Sequence, residues 1–306
     1  MNYIKGLYDT YEILEANGLI GQYDENGLGV FPKYHNMKGF QKGSSVYKIK
    51  LSSKNSNYII EDISPTDTND KIFLVFPTTI ESNGRDGEND VPNGVSEELK
   101  YMSLEFSKSN NYTTYLNQLR EWLDFTGGMT WLDVVYNFLN EYDVYDLITQ
   151  QYPESKIDGK TFVTFEVDDI DISNSKELQD SWIEFLESKY IQGYGSYYYG
   201  QDDLTGGVGV VPTKYSRFSG TARILSKSNN DEYHRGRFIK DGGLHDIFSV
   251  THETSQKAYN LLTYLLNAKG KNSKWIGADT TMVMWMDGTE IKPEVTIYDE
   301  LGGLWE

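Results

Sequence analysis

The sequence predicts an α+β protein, with mainly antiparallel sheets and helices packed against them. Short runs in which apolar and polar residues alternate, such as 46–51 and 161–167, are typical of half-buried strands. Longer stretches, such as 3–16 and 254–268, carry apolar residues at helical spacing. No repeat of fixed period is visible, so a solenoid or a propeller is not expected.

The N-terminal third reads as one helix followed by strands. Residues 3–16 are amphipathic, and Asn17-Gly18 supplies a stop signal after them. The runs 46–51 and 57–63 predict strands of a meander, separated by Gly, Ser and Asn turns. The run 71–77 is the most hydrophobic of these, so we expect a central strand that Pro77 ends.

A long polar loop is predicted over residues 78–99. Loops of this length are commonly functional or mobile. It contains one base, Arg85, and six acidic residues: Glu81, Asp86, Glu88, Asp90, Glu97 and Glu98.

Helices dominate the middle of the sequence. Residues 112–125 and 130–150 have apolar faces, and Gly127-Gly128 separates them. A strand is predicted at 161–167, an acidic edge or loop at 168–173, and a third amphipathic helix at 176–190.

The last third is mixed. Residues 193–211 are rich in Gly and Tyr and predict a loop, and 220–226 predicts a strand. A helix over 254–268 and a strand over 280–286 follow, and the final twenty residues read as an irregular acidic tail. We therefore expect one module over 1–306 with three sub-lobes: strand-rich 1–110, helix-rich 111–190 and mixed 191–306.

Composition narrows the class of protein. The 306 residues include no Cys, which excludes disulfides, Cys-ligated zinc and a thiol nucleophile. The start of the sequence lacks a secretory h-region and no window approaches eighteen apolar residues, so a cytoplasmic protein is expected. The net charge of −18 suits solubility, or docking onto a basic partner.

Basic charge is concentrated in one segment, residues 214–240. It holds two acids, and the segment has a net charge of +5 in an otherwise anionic chain. Such a segment is either a surface that meets something negative or an ordinary solvated face. Its seven basic residues are Lys214, Arg217, Arg223, Lys227, Arg235, Arg237 and Lys240.

Catalytic and metal-binding patterns are weak. His245-Asp246 and His252-Glu253 place carboxylates beside imidazoles, but no HxxxH or HExxH spacing is present. Three acids after a predicted strand, Asp168, Asp169 and Asp171, could form a glycosidase or Mg²⁺ cluster but more often form a solvated edge. We expect no enzyme, no metal and no cofactor.

Four tyrosines lie near the basic segment: Tyr194, Tyr197, Tyr198 and Tyr199. They could be a stacking platform for bases, or they could pack at an interface or at the edge of a core.

Several ordered stretches carry a resemblance to one family. They are GLYDTYEIL (6–14), IFLVFPTTIESNGRDG (72–87), YLNQLREWLDF (115–125), GTARILSKSN (220–229), YHRGRF (233–238), DIFSVTHETSQKAYNLLTYLL (246–266) and WIGADTTMVMW (275–285). The chain resembles the N-terminal half of the large-subunit family of type I-C CRISPR surveillance complexes, the Csd-one or Cas-eight-c family. The matches run collinearly over most of the chain.

The resemblance implies a fold like the N-terminal part of a Cascade large subunit and a role without catalysis. Such a subunit sits at the 5′ end of the crRNA beside the Cas-five and Cas-seven subunits. There it recognises the protospacer-adjacent motif on duplex DNA, through a loop that corresponds here to Arg85, Asp86, Glu88 and Asp90. The basic segment would then dock on crRNA or on a neighbouring subunit.

Two departures from the family pattern lead to two hypotheses. The family's helical C-terminal region is absent from this sequence, and the loop after Arg85 is acidic where the family's is neutral to basic. Acids near phosphates oppose binding to duplex DNA. The first hypothesis is therefore a decoy that occupies the large subunit's place on the Cas-five/Cas-seven–crRNA core and blocks interference, encoded by a phage or mobile element. The second is a genuine short large subunit that reads the motif.

Overall fold

The chain has an α+β fold, as the sequence predicts. The computed structural model describes residues 3–68, 71–83, 91–106, 110–191, 197–212, 215, 249–268, 272–277 and 280–283. Contacts divide the chain into two compact units. Unit two is the continuous segment Tyr34–Tyr194, and unit one combines Met1–Lys33 with Gly195–Glu306.

The described strands of unit two form two sheets. Its strands are β1 (His35–Gln41), β2 (Val46–Leu51), β3 (Tyr58–Asp62), β4 (Lys71–Pro77), β5 (Glu97–Glu98), β6 (Phe162–Val167) and β7 (Ile170–Asp171). One sheet pairs β1 with β4, antiparallel. The other has the order β3-β2-β6-β5, with β7 also on β6. In it the β2–β6 pair is parallel and the remaining pairs are antiparallel.

The two sheets meet through aromatic side chains. Phe40 of β1 and Phe76 of β4 each lie 5.1 Å, between ring centroids, from Phe162 of β6. Val46 of β2 completes this buried cluster. The buried positions are His35, Met37 and Phe40 on β1 and Val75–Pro77 on β4.

In its described part, unit two has five α-helices: α2 (Ile80–Asn83), α3 (Asn111–Phe125), α4 (Thr130–Glu141), α5 (Val144–Gln151) and α6 (Lys176–Ile191). Short 3-10 turns cover Leu99–Tyr101 and Ile172–Asn174. Helices α3 and α6 pack through Trp122 and Trp182, whose rings are edge to face at 4.8 Å. Phe138 of α4 packs on Phe165, so α4 covers the opposite face of the β2–β6 pair.

Unit one is organised around two helices, α1 (Tyr3–Ala16) and α7 (His252–Asn267). Their apolar faces form one buried cluster that includes Leu7, Tyr11, Leu261 and Leu265. Two antiparallel hairpins accompany them: β8 (Tyr197–Gln201) with β9 (Val208–Pro212), and β10 (Ser273–Gly277) with β11 (Thr280–Val283). Helix α7 is buried on nearly all sides, which its mixed polar sequence does not indicate.

The predicted helix 130–150 is two helices. The chain leaves the helix at Tyr142, and Asp143 then caps α5 by accepting hydrogen bonds from the backbone N–H groups of Tyr145 and Asp146. An Asp at this position stabilises a new helix start, so the local signal of the cap overrides the continuous apolar periodicity.

The predicted central strand 71–77 is present, but the position expected for it was wrong. Within the described residues it pairs only with β1. The described strands with neighbours on both sides are β2, between β3 and β6, and β6, between β2 and the short strands β5 and β7. Hydrophobicity predicts that a strand is buried, but not which strands adjoin it.

The three predicted sub-lobes do not correspond to separate units. Residues 1–33 join the C-terminal third, while the strand-rich segment from 34 and the helices up to 191 share one core. The predicted strand 220–226 lies outside the described residues. No described helix has the length and apolar character that crossing a bilayer would need.

Candidate functional site

The eleven residues predicted to contact partners all lie outside the described residues. These are Lys214, Arg217, Arg223, Lys227, Arg235, Arg237 and Lys240 of the basic segment, and Arg85, Asp86, Glu88 and Asp90 of the polar loop. The structure does describe the residues that anchor that loop in unit two, and the helix that follows the basic segment in unit one.

The entry to the loop is built where β4 ends. Thr79 and Ser82 bond reciprocally, each side-chain oxygen accepting from the other's backbone N–H at 2.8–2.9 Å. The Trp182 indole donates to the carbonyls of Tyr34 and Thr78, and the backbone N–H of Ile80 donates to the Tyr190 hydroxyl. Helix α6 therefore fixes the direction in which the chain leaves the sheet.

The exit from the loop is packed as tightly. The backbone N–H of Gly94 donates to the Pro77 carbonyl at 2.8 Å, and a Cβ on Gly94 would lie 2.4 Å from the Pro77 side chain. Only Gly allows this approach, because any side chain would overlap the proline ring. The Tyr115 hydroxyl donates to the Val95 carbonyl. Entry and exit are thus held at the same end of β4.

Two of the six acids counted in the loop have structural roles. Glu97 is fully buried, and its carboxylate accepts hydrogen bonds from the backbone N–H groups of Asn93 and Glu98. Glu98 forms ion pairs with Lys38 at 3.5 Å and Lys100 at 2.8 Å. The expectation of one polar loop over 78–99 is therefore wrong for residues 93–99, which are largely buried in unit two.

The acidic run after β6 is a tight turn. Asp168 and Asp169 have φ values of 49° and 65°, and they join Val167 to Ile170 across the two-residue hairpin of β6 and β7. Both φ values positive in such a turn identify type I′. Asp171 is directed into the unit, where its carboxylate lies 2.8 Å from Lys48 Nζ. These acids serve local structure rather than a shared cation site.

In unit one, Asp202 fixes the start of α7. Its carboxylate accepts from the backbone N–H and the hydroxyl of Thr251, at 2.7 and 2.8 Å, and Thr251 caps the helix. Burial raises the pKa of Asp202, but these hydrogen bonds outweigh burial and leave the pKa below its usual value. The Gly-rich stretch 206–209 therefore belongs to a hairpin that positions α7. The loop predicted over 193–211 is wrong for the two strands of this hairpin, β8 and β9.

A charged cluster joins α1 to α7. Lys257 is 6% exposed, and its ammonium contacts the carboxylates of Glu12, Glu15 and Glu253 within 3.1 Å. Burial opposes the charge on Lys257, yet the hydrogen bonds to Glu12 and Glu15 raise its pKa above the usual value. Glu253 also lies 3.5 Å from Lys33.

The described histidines are not arranged for metal binding. His252 is buried beneath the start of α7, and desolvation lowers its pKa to about 3. Its neighbour Glu253 is engaged by Lys33 and Lys257. Among the described residues there is no group of three or more His, Cys, Asp or Glu placed to hold a metal ion.

The tyrosines do not form a continuous platform in the part described. Tyr198 and Tyr199 are neighbours on a strand and project to opposite faces. The Tyr198 hydroxyl hydrogen-bonds to Ser249 at 2.9 Å, whereas Tyr199 is 58% exposed. Tyr194 lies outside the described residues, as does the side chain of Tyr197.

Sequence reasoning missed the residues that anchor these elements. Trp182 and Tyr190 look like ordinary core residues, and Glu97 looks like one more loop acid. The one sequence signal for the loop exit was the Asn93-Gly94 pair, which is typical of a turn. No protein-family model matches the chain, and no curated protein matches it.

Proposed function

We propose that this protein occupies the place of the large subunit on the Cas-five/Cas-seven–crRNA core of a type I-C complex and acts there as a decoy that blocks interference. The proposal rests on the resemblance of ordered stretches between residues 6 and 285 to that large-subunit family, combined with the acids that follow Arg85. The function is one of binding, and it involves no chemical step.

The packing of the matched stretches supports this proposal. Stretch 6–14 lies in α1, 115–125 in α3, and most of 246–266 in α7. Each contributes to a buried core rather than to a surface loop. A protein that retains these stretches retains the framework that would present a docking surface.

The negative net charge of unit two argues against its binding duplex DNA and supports a different partner for this unit. Tyr34–Tyr194 holds 27 acidic and 14 basic residues, a net charge of −13. Phosphate contacts depend on clustered Lys and Arg, so a unit of this charge is repelled by a DNA backbone. The basic residues of 214–240 are the ones suited to crRNA or to an acidic face of a core subunit.

One observation favours the second candidate, a genuine short large subunit. Glu97 is buried and Glu98 is neutralised by two lysines, so neither adds free negative charge near Arg85. The acidic character of the loop then rests on the other four acids, Glu81, Asp86, Glu88 and Asp90. A partner chain that grips the displaced strand could offset four acids.

Competition on a reconstituted core separates the two. A decoy is expected to bind the purified Cas-five/Cas-seven–crRNA core, to displace the full-length large subunit, and to abolish motif-dependent capture of duplex DNA. A genuine subunit is expected to bind the core and to confer that capture. Absence of binding to the core would contradict both.

A charge-reversal pair tests the docking residues. Arg235→Glu with Arg237→Glu is expected to weaken binding to the core by about tenfold or more, since two charge contacts are reversed. Lys176→Glu is the control, because that side chain is 86% exposed and pairs with Asp180 on its own helix. Equal binding by the two variants would contradict docking through the basic segment.

A further inference from the structure

The edge of β1 that faces away from β4 has backbone N–H and carbonyl groups that β4 does not bond. Thr78 donates its backbone N–H to the Tyr34 carbonyl, and in the register that follows, residues 34, 36, 38 and 40 bond to β4. The backbone groups of Met37, Gly39 and Gln41 therefore point away from β4, toward a position that a further strand would occupy.

Backbone groups near both ends of this edge have hydrogen-bond partners, whereas those in its middle have none among the described residues. The N–H of Met37 donates to the side-chain oxygen of Asn36 at 2.8 Å. At the other end, the carbonyl of Gln41 accepts from Ser44 in the following turn. Between them, the N–H and carbonyl of Gly39 have no hydrogen-bond partner in the described part of the chain, and Gly39 is exposed.

Some of the corresponding positions on other strands of unit two are covered. On β3, the carbonyl of Ile60 accepts from Gln151 and Tyr152. On β4, the carbonyl of Val75 accepts from Ser173, and that of Pro77 accepts from Gly94. Open edges invite pairing with another chain, and proteins usually cover them. Within the described residues, the N–H and carbonyl of Gly39 form such an uncovered position.

The lysines near Gly39 indicate that an added strand would be acidic. Between residues 34 and 60 there are five lysines and no acid. Three of these lysines are paired: Lys38 with Glu98, Lys48 with Asp171, and Lys50 with Glu61. Lys42, in the turn that ends β1, is exposed and makes no ion pair within the described residues. It is placed to meet a carboxylate on an added strand.

We propose that an extended, acidic segment of a core subunit adds to the edge of β1 and exchanges both backbone hydrogen bonds with Gly39 while a carboxylate pairs with Lys42. An added strand is recognised through its main chain, and the closed ends at Asn36 and Ser44 restrict it to one register. This inference rests on the proposed function, because the segment belongs to the same core.

The decisive comparison is Gly39→Pro against Gly39→Ala, measured as affinity for the reconstituted Cas-five/Cas-seven–crRNA core. Both variants place a Cβ near Lys71 and Phe73, but only proline removes the N–H. Proline is expected to weaken binding by about tenfold relative to alanine, the value of one lost hydrogen bond at an interface. Thermal unfolding of both variants establishes that each is folded.

Lys42→Glu gives a second measurement that does not alter the strand. It is expected to weaken binding by about threefold at low salt, and the difference should disappear as salt is raised. The matched control is Lys54→Glu, in the turn after β2, because Lys54 is also exposed and forms no ion pair with any residue that the structure describes. Lys54→Glu is expected to leave the affinity unchanged.

The outcomes separate this inference from the proposed function. If the unmodified chain does not bind the core, the proposed function fails. If it binds and Gly39→Pro and Lys42→Glu bind equally well, the strand addition is overturned and the function stands. Sedimentation showing a dimer that Gly39→Pro dissociates, with core binding unchanged, would overturn it in favour of a second copy as the occupant.

Discussion

At the scale of single residues, burial changes what a side chain can do. Glu97 and His252 read as surface or site residues in the sequence, and each is at most 1% exposed. Glu97 remains compatible with burial because two backbone N–H groups bond its carboxylate. His252 responds differently, since burial favours its neutral form.

His252 predicts a pH dependence for unit one. Its folded pKa of about 3 lies below the ordinary value of 6.5, so the unfolded chain takes up a proton first as the pH falls. Stability is therefore fully present above about pH 6.5 and falls below it by up to about 1.4 kcal/mol per pH unit until the folded pKa is reached.

The measurement is the free energy of unfolding of the full chain between pH 7 and pH 5. His252→Gln is expected to flatten the profile in this window even if it lowers stability overall. Asp202 and Glu253 also have lowered pKa values, but their contribution is lost only near the acidic end, below about pH 4. An unchanged slope in His252→Gln would show that another group titrates.

At the scale of elements, the pairing of α1 with α7 depends on one charge as well as on apolar contact. Lys257 lies among three carboxylates and above the Tyr11 ring, 5.6 Å from its centroid. The carboxylates are 41–45% exposed, so water screens each of them in part. The Lys257 ammonium of α7 still contacts Glu12 and Glu15 of α1, so it links the two helices.

Replacing this lysine tests that arrangement. Lys257→Met keeps the length and apolar stem but leaves the carboxylates to repel one another, and we expect a loss of about 1–3 kcal/mol in the free energy of unfolding. Lys5→Met is the control on α1, because Lys5 makes an exposed pair with Asp9 and should cost less than about 0.5 kcal/mol. Equal losses for the two would contradict a special role for Lys257.

At the scale of the whole molecule, the sequence of unit two lies between the two segments of sequence that make up unit one. Unit two runs without interruption from Tyr34 to Tyr194, whereas unit one needs both ends of the chain. Its apolar core takes Leu7, Tyr11 and Leu14 from α1 and Leu261 and Leu265 from α7. A continuous segment with its own core is the kind that folds independently.

Truncation tests this division. Residues 34–194 expressed alone are expected to unfold in one cooperative transition, because the Phe40–Phe76–Phe162 cluster and the Trp122–Trp182 contact lie within that segment. Residues 195–306 alone are expected to show none, since they lack α1. Far-UV circular dichroism against temperature measures both, and a cooperative transition in the shorter fragment would contradict the assignment of α1 to its core.

The sequence by itself determined the elements and the class. Helix 3–16 and strands 46–51 and 71–77 follow from local periodicity, and they appear with the predicted bounds. The anchoring of the polar loop was not readable, because Trp182 and Tyr190 reach its entry from about a hundred residues away. Periodicity reports which face of an element is buried, not what lies against it.

Only the tertiary structure decided how the elements combine. It placed β6 rather than β4 between neighbours, removed Glu97 and Glu98 from the free charge of the loop, and joined α1 to a helix some 240 positions further along. Among the residues that the structure describes, it also leaves the backbone N–H and carbonyl of Gly39 without a hydrogen-bond partner at the edge of β1. Pairing, burial and charge neutralisation depend on contacts between distant residues, and these form only when the chain is folded.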